Sequence, residues 1–334
     1  MRRRNRTRIG FCGRIVAVVV IAASFSGLGS AAGEAGPDDA GVVIAIVGDV
    51  LLDRGVKAAL ERRTFDELLS DVAPVLRDAD LAVGNLECAL SKRGLRSAKS
   101  FSFRGDPAHA AALARAGFDA MSLANNHSLD YGRVALADTI TALEGAGIAA
   151  IGAGPSRAVA MQARVIERKG LRIALLGYCA MYVEATTPRA DAVTISESDL
   201  EVFLQEIRAA KSVSDVVIVL PHWGREWSPL PNETQERLAA VFIEAGATIV
   251  AGAHPHVLQP IERRGTSLVA WSLGNFVFDQ RGEGGDSCVL RVTVGRGGVR
   301  GFDVVPVVIR EGAPMRVDGV DAERIAARLR KRAR

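Results

Sequence analysis

The chain has 334 residues, enough for one large domain or two ordinary ones. Hydrophobic residues make up 49%, charged residues 24% and aromatic residues 5%, which excludes disordered, collagen-like and disulfide-scaffold chains. The formal charge of +4 comes from the N-terminus, where six Arg and no acid fall in residues 1–31, leaving 36 basic against 38 acidic residues beyond them.

Further basic groups crowd the other end (Arg324, Arg328, Arg330, Lys331, Arg332, Arg334). Basicity confined to two ends does not make a basic groove, so no nucleic-acid partner is expected. An Arg-rich stretch up to Arg14, an apolar run from Ile15 to Phe25 and a small, flexible segment after it have the order of a secretory signal. The apolar run is shorter than the roughly 18 residues a membrane span requires. Residues 1–32 are therefore read as a signal peptide or an N-terminal membrane anchor, with cleavage after Ala31 or Ala32 suiting the small-residue rule. Either way the body is placed outside the cytoplasm.

From Gly41 onward, short apolar runs alternate with stretches of helical periodicity, the grammar of βαβ units. Strands are expected at 41–47, 81–83, 120–123, 149–151, 172–176, 216–220 and 248–250. Helices are expected within 56–76 and at 107–116, 131–145, 197–211 and 232–245. Asp106-Pro107 offers a helix N-cap followed by Pro, and Asn232 with Gln235 a capping box. After about residue 257 the strand-like runs VLQPIERRG, TSLVAWSLGNFVFD, SCVLRVTVG and GFDVVPVVI follow one another without helices, which predicts antiparallel strands. The whole predicts an α/β fold with two sheets and helices outside, one domain over 42–310, and a basic C-terminal tail over 321–334. Beyond Cys12, the odd set Cys88, Cys179 and Cys288 has no CxxC spacing and leaves room for at most one disulfide; buried free thiols are expected at Cys88 and Cys179.

Polar groups gather where these strands end. The first is followed by Gly48-Asp49, the second by Gly84-Asn85-Leu86-Glu87, and the third by Ala124-Asn125-Asn126-His127. The 216–220 run is followed by Pro221-His222-Trp223, and the 248–250 run leads to Gly252-Ala253-His254-Pro255-His256. Alone, Gly48-Asp49 reads as a turn and Asn125-Asn126-His127 as a helix cap. Parallel strands, however, bring their carboxyl ends to one rim, where open α/β sheets bind ligands.

Four of the five His lie in this set, and imidazole, carboxylate and amide oxygen together suit Zn, Mn or Fe. Pro255 favours extended backbone at His254, and residues i and i+2 of an extended segment face one side, so His254 and His256 are expected to share a site. Two ions about 3.5 to 4 Å apart with a bridging carboxylate would support hydrolysis of an ester, anhydride or amide. His127 would then protonate the leaving group.

Six ordered motifs carry a resemblance. They are Gly48-Asp49-Val50-Leu51-Leu52, Gly84-Asn85-Leu86-Glu87, the run from Asn125 to Gly132 (NNHSLDYG), the run from His222 to Trp227 (HWGREW), Gly252-Ala253-His254-Pro255-His256, and the run from Ser272 to Asp279 (SLGNFVFD). In this order they resemble the CapA (PgsA) family of poly-γ-glutamate capsule biosynthesis proteins, which is in turn similar to calcineurin-like metallophosphoesterases. The resemblance implies a four-layer α/β/β/α sandwich with one or two divalent metal ions at the strand ends. It implies Asp49, Glu87, Asn126, His222, His254 and His256 as metal ligands and His127 as the catalytic imidazole. Two departures stand out. The usual Asp-x-His of the first motif reads Asp49-Val50-Leu51, and Glu87 stands where a bridging Asp is usual.

Asn125, Arg104, Trp223, Arg225, Glu226 and Asn275 lie in or beside the motifs and are candidates for substrate contact. An Arg among them can bind a carboxylate or phosphate bidentately, although solvation is the default role of an exposed charge and the favoured reading for each Arg. The expected function is that of an exported, metal-dependent hydrolase acting on an anionic extracellular polymer such as poly-γ-glutamate, with membrane-bound capsule synthesis proteins as partners. Alternatives are a non-catalytic assembly or export component and a generic metallophosphoesterase.

Overall fold

The computed structural model describes residues 41–180 and 199–330. The signal or anchor expected over 1–32 and the last four residues of the basic tail lie outside the described residues. Among the described residues no helix is long and apolar enough to cross a membrane.

In chain order the elements begin β1 (Val42–Val50), α1 (Arg54–Leu60), α2 (Phe65–Leu69), α3 (Ala73–Arg77), β2 (Leu81–Leu86), β3 (Ala89–Leu90), β4 (Arg104–Gly105), α4 (His109–Ala116), β5 (Ala120–Ser122), α5 (Gly132–Gly145) and β6 (Ala149–Ile151). They continue α6 (Arg157–Met161), β7 (Arg164–Arg168), β8 (Leu171–Cys179), α7 (Leu200–Val213), β9 (Val216–His222), α8 (Glu233–Ala245) and β10 (Ile249–Ala251). The last are β11 (Ile261–Arg264), β12 (Ser267–Ala270), β13 (Asn275–Val277), β14 (Asp286–Gly295), β15 (Gly298–Arg310), β16 (Ala313–Arg316) and α9 (Gly319–Leu329).

One sheet has the order β16-β15-β14-β1-β2-β5-β6 with β13 also on β1, and the other β11-β12-β10-β9-β8-β7. Side chains alternate across each strand, so each sheet divides its apolar residues between two faces. Ile44 and Ile46 of β1 meet Ile173, Leu175, Ile218 and Leu220 of the other sheet in a core between the sheets. Ala45 and Val47 face the opposite way, towards Leu68 of α2 and Leu113 of α4. On the far side Ala174, Leu176 and Val219 pack with Phe203 of α7 and Phe242 of α8. Three apolar layers separating helices, sheet, sheet and helices make the α/β/β/α sandwich that the resemblance implied. Each fully buried Ile or Leu in these layers contributes about 1.5–3 kcal/mol of transfer free energy, before chain entropy is charged against it.

The capping box at Asn232 and Gln235 forms. Asp106 acts differently from expectation: its side chain accepts from Ala108 N–H, and the regular part of α4 starts only at His109. The run after 257 is also more mixed than predicted. β14, β15 and β16 are antiparallel, but β12 runs parallel to β10 and β13 parallel to β1. These short strands return beside the carboxyl ends of the parallel ones. The C-terminal basic segment forms α9, whose Ile325 and Leu329 enter the core between the sheets, while Arg324 and Arg328 both reach Asp286. Cys88, Cys179 and Cys288 are buried and lie in no disulfide among the described residues, and burial pushes Cys88 and Cys288 up to about 12.

Candidate metal centre

The site forms where both sheets present the carboxyl ends of parallel strands. Asp49, near the end of β1, is in register with Asn85 on β2 and with Asn275 on β13. Gly48 has to lack a side chain, because a Cβ there would stand 1.9 Å from the carbonyl oxygen of Gly274. From the second sheet, His222 ends β9 and is bridged to Ala253, which brings the loop carrying His254 and His256 across it. Gly252 turns that loop against Trp223 and Trp271, where a Cβ would come within 2.4 Å of the Trp223 indole nitrogen.

The extended backbone expected at His254 is not what brings the two imidazoles together. His254 has φ 94° and His256 φ 59°, both in a region that non-glycine residues seldom occupy. Such strain survives only where the surroundings impose it and tends to collect at functional sites. Here Asp49 takes part in holding the turn, with its carboxylate 3.4 Å from His254 N and 3.3 Å from His256 Nδ1.

Four donor atoms converge. His222 Nε2 lies 2.8 Å from Asn126 Oδ1, 3.1 Å from His254 Nδ1 and 3.7 Å from Glu87 Oε1. His256 Nε2 and His127 Nε2 each lie 3.9 Å from the same Glu87 oxygen. Ligand atoms about 2.1 Å from one ion at tetrahedral angles stand roughly 3.4 Å apart, so these separations suit a shared cation. Glu87 is fully buried and neither of its oxygens finds a hydrogen-bond partner among the described residues. A buried carboxylate without a hydrogen bond is costly, and a cation is the compensation this donor set fits. One carboxylate oxygen of Glu87 and ligand nitrogens of His254 and His256 all lie within 4.8 Å of one another, a group that could hold a metal ion.

Burial and the neighbouring Asp49 carboxylate hold the Glu87 carboxyl well above its usual range, while His256 opposes them. Burial pushes His222 well below the ordinary imidazole range, and it lowers His254 to about 4, with His256 adding to the effect in both cases. His256 alone moves the other way. Burial pulls it down, but Glu87 and Asp49 outweigh burial and raise it to about 10. A cation would displace that proton, as it must before an imidazole can ligate.

His127 sits at the edge of the cluster. Its Nδ1 is 2.8 Å from Asp130 Oδ2, and its ring lies 4.3 Å from that of Phe103. Burial lowers its pKa, against the opposing pull of Asp130. With Nδ1 turned to Asp130, Nε2 faces Glu87 and the space between the ligands.

Comparison with known proteins shows the family. The family profile described as bacterial capsule synthesis protein PGA_cap matches residues 43–280. The chain is 31% identical over 291 residues to the PGA biosynthesis protein CapA of Bacillus subtilis, covering 85% of this chain and 77% of that one. It belongs to the capsule synthesis family. The capsule biosynthesis protein CapA of Bacillus anthracis is similar at 32% identity over 300 residues, 87% of this chain and 73% of that protein. A hypothetical protein from Thermus thermophilus shares the fold, with a TM-score of 0.51 at 16% identity over 79% of this chain and 98% of its own.

Within this family member the remaining sequence candidates separate into wall and rim. Asn125 is buried and lies in the wall: its amide donates to Asn85 and to the Leu86 carbonyl, and its oxygen accepts from His127 N–H and Ser128. Asn275 is likewise fully buried and holds His256. Trp223 is core, stacked on Trp271 and Phe242 with its N–H given to the Trp271 carbonyl. Arg225 and Glu226 are exposed, and the charge of Glu226 is felt by Glu87. Arg104 lies over the ring of Tyr131, 4.1 Å from its centre.

Several contributors were not singled out by sequence. Asn85 donates to Asp49 at 2.8 Å. Lys99 pairs with Asp130 and donates to the Asn126 carbonyl. Arg54, at φ 52°, pairs with Asp279 through Nε and Nη2, and its guanidinium lies 5.3 Å from the Phe103 ring and 5.6 Å from the Phe278 ring. Those rings pack on His127 and His256, so Arg54 stands over the mouth of the centre. An acid three residues after the histidine was a readable signal for Asp130; Lys99 and Arg54 carried none.

Proposed function

We propose that this chain is an exported, metal-dependent hydrolase of an anionic cell-envelope polymer, with poly-γ-glutamate, the polymer of capsule biosynthesis, as substrate. The observation that carries the reading is Glu87, a buried carboxylate with no hydrogen-bond partner among the described residues and three imidazole nitrogens within 3.9 Å of one oxygen. Glu87, Asn126, His222, His254 and His256 would hold the ion or ions, with Asp49 beside them. A divalent ion there supplies Lewis acidity and neutralises developing negative charge.

The chain's own groups do the rest. His127, neutral at rest with Nδ1–H towards Asp130, takes a proton at Nε2, the nitrogen facing the ligands, from the attacking water and delivers it to the leaving group. Asp130 fixes the ring through Nδ1 and stabilises the imidazolium as it forms, and Lys99 keeps the Asp130 carboxylate in place. Phe103 and Phe278 shield the two outer imidazoles from water, and Arg54 meets the incoming anion.

One feature favours a second reading, a non-catalytic component that binds polymer during assembly or export. Leu51, fully buried, stands where the first motif of related metallophosphoesterases has an imidazole, and Asp49 spends its oxygens on Asn85 and on the His254–His256 turn. Elemental analysis of purified protein, followed by turnover assays on γ-glutamyl oligomers and an aryl phosphate, decides between the readings. Metal at one equivalent or more with cleavage of γ-glutamyl bonds supports the hydrolase. Bound metal and oligomer binding with no turnover of either substrate supports the assembly component.

A further inference from the structure

Beside the metal centre lies a second concave surface, a cleft of about 260 Å³ lined by Leu52, Lys57, Ser91, Lys92, Arg104, Asp106 and His109 among others. Its walls are the continuations of the segments that build the centre. Ser91 and Lys92 follow β3, which begins two residues after Glu87. Arg104 directly follows Phe103, the residue packed on His127. The Arg104 N–H donates to Asp53, whose neighbour Arg54 stands over the mouth. Arg54 and Lys57 are three residues apart on α1, so they share a face of that helix.

The charge in this cleft is one-sided. Lys57, Lys92 and Arg104 line it against the single carboxylate of Asp106, which pairs with Lys92 at 3.2 Å with both side chains largely exposed. His109 adds an imidazole whose Nδ1 is buried and finds no hydrogen-bond partner among the described residues. A run of cations that begins at the mouth of a hydrolytic centre and continues along a cleft would attract an extended polyanion and draw it in register past the reacting bond.

We infer that this cleft is a binding subsite for a chain of repeating carboxylates, entering beside Arg54 and lying along Lys57, Arg104 and Lys92. The inference rests on the functional reading above for the nature of the polymer, and adds to it where the polymer lies. Arg54 fixes the carboxylate nearest the centre, because its remaining N–H groups beyond the Asp279 pair are free of that carboxylate and the aromatic rings on either side hold the guanidinium in place.

The test is binding of a fluorescently labelled poly-γ-glutamate oligomer, read by anisotropy at low and at physiological salt. It uses the full chain, metal-loaded and chelated. The variants are Lys57→Glu with Lys92→Glu, the neutral pair Lys57→Gln with Lys92→Gln, and as control Arg172→Glu, which lies at the amino end of β8 on the opposite rim. The charge-reversed pair is expected to lose at least tenfold in affinity and most of the salt dependence, and the neutral pair about threefold, with metal content unchanged. Arg172→Glu is expected to change affinity less than twofold.

Oligomer binding by the cleft variants equal to that of the starting protein overturns the inference, as does an equal loss in Arg172→Glu or failure of the starting protein to bind. Cleft-dependent binding of polyphosphate tighter than that of the oligomer overturns the carboxylate assignment. Because binding is read separately from the turnover of γ-glutamyl oligomers, the two proposals fail separately: cleft-dependent binding without turnover removes the hydrolase and leaves the subsite. Turnover of oligomers indifferent to the cleft does the reverse.

Discussion

Asn275 Oδ1 lies 2.9 Å from His256 Nδ1, while the amide nitrogen of Asn275 donates to the His256 carbonyl, to Gln280 and to the Gly284 carbonyl. Three acceptors around the nitrogen fix which end of the amide faces the ring, so Nδ1 of His256 has to carry a hydrogen, and Nε2, towards Glu87, is the nitrogen that gives up its proton when a cation binds. An outer partner of this kind orients a ligand and sets its basicity. Asn275→Ala is expected to lower metal affinity by about 10- to 100-fold, measured by competition with a chromogenic chelator, with the fold intact by circular dichroism. Unchanged affinity would show that His256 needs no help from Asn275.

Glu87 and Asp49 are two buried carboxylates; burial first and the neighbouring Asp49 second raise the Glu87 pKa, and among the described residues only Asp49 of the two is hydrogen bonded. Removing the Glu87 charge relieves desolvation and like-charge repulsion in the metal-free protein. Glu87→Gln is therefore expected to stabilise the chelated protein by about 1 kcal/mol, which raises Tm by roughly 2–4 °C, and to abolish stoichiometric metal binding. Calorimetry with and without chelator reads both effects. A lower Tm in chelator would mean that Glu87 is held by favourable contacts instead.

The histidines set the pH response of the chelated protein. His127, His222 and His254 have folded pKa values below the unfolded imidazole value, His254 at about 4. Below pH about 6.5 the unfolded chain therefore takes up protons that the folded chain refuses, and stability falls as pH drops. His256, raised to about 10, contributes stability that is complete below pH about 6.5 and is lost as pH rises through 10. Glu87, raised, opposes the three histidines above its unfolded value and works with His256 at high pH. A stability maximum near pH 6.5 is expected in urea titrations with chelator, with each neutral-held histidine contributing about 1.4 kcal/mol per pH unit on the acid side. Metal should move the maximum upward, since ligation removes the His256 proton.

Much of this centre is legible in the sequence because strand ends are. The run GVVIAIV fixes where β1 stops, and a parallel sheet does the rest, so Asp49, Glu87, Asn126, His222, His254 and His256 converge as expected. What sequence cannot supply is the direction of a side chain in irregular backbone. His254-Pro255-His256 reads as extended, but the turn against Asp49 imposes positive φ at both histidines, and they meet by that route. Asn125 and Trp223 sit in the right motifs for substrate contact, yet one is spent on the wall and the other on packing. Arg54 is invisible because its role depends on Asp279, 225 residues away.

Trp223 separates those roles by experiment. It is fully buried, stacked between Trp271 and Phe242, and its indole N–H is given to the Trp271 carbonyl. Trp223→Ala is expected to cost about 3–5 kcal/mol in urea unfolding, with oligomer affinity of the remaining folded protein unchanged. A loss of affinity at full stability would return Trp223 to the substrate surface.

Asp130 bears on chemistry instead of packing. Its Oδ2 takes both the Phe103 N–H, at 2.6 Å, and His127 Nδ1, while its Oδ1 pairs with Lys99, so an uncharged amide in its place would present a donor either to Lys99 or to the other two donors. The ring of His127 would then turn or change tautomer, and Nε2 would no longer be placed to take the proton towards the reacting bond. Asp130→Asn is expected to lower kcat by about 10² to 10⁴ while leaving metal content at the wild-type value, the pattern of a histidine that has lost its orienting carboxylate. His127→Ala in the same protein should add little to that loss, because two groups that act as one unit fail together. Independent, additive losses in the double variant would mean that His127 moves its proton without Asp130, and the dyad would have to be given up.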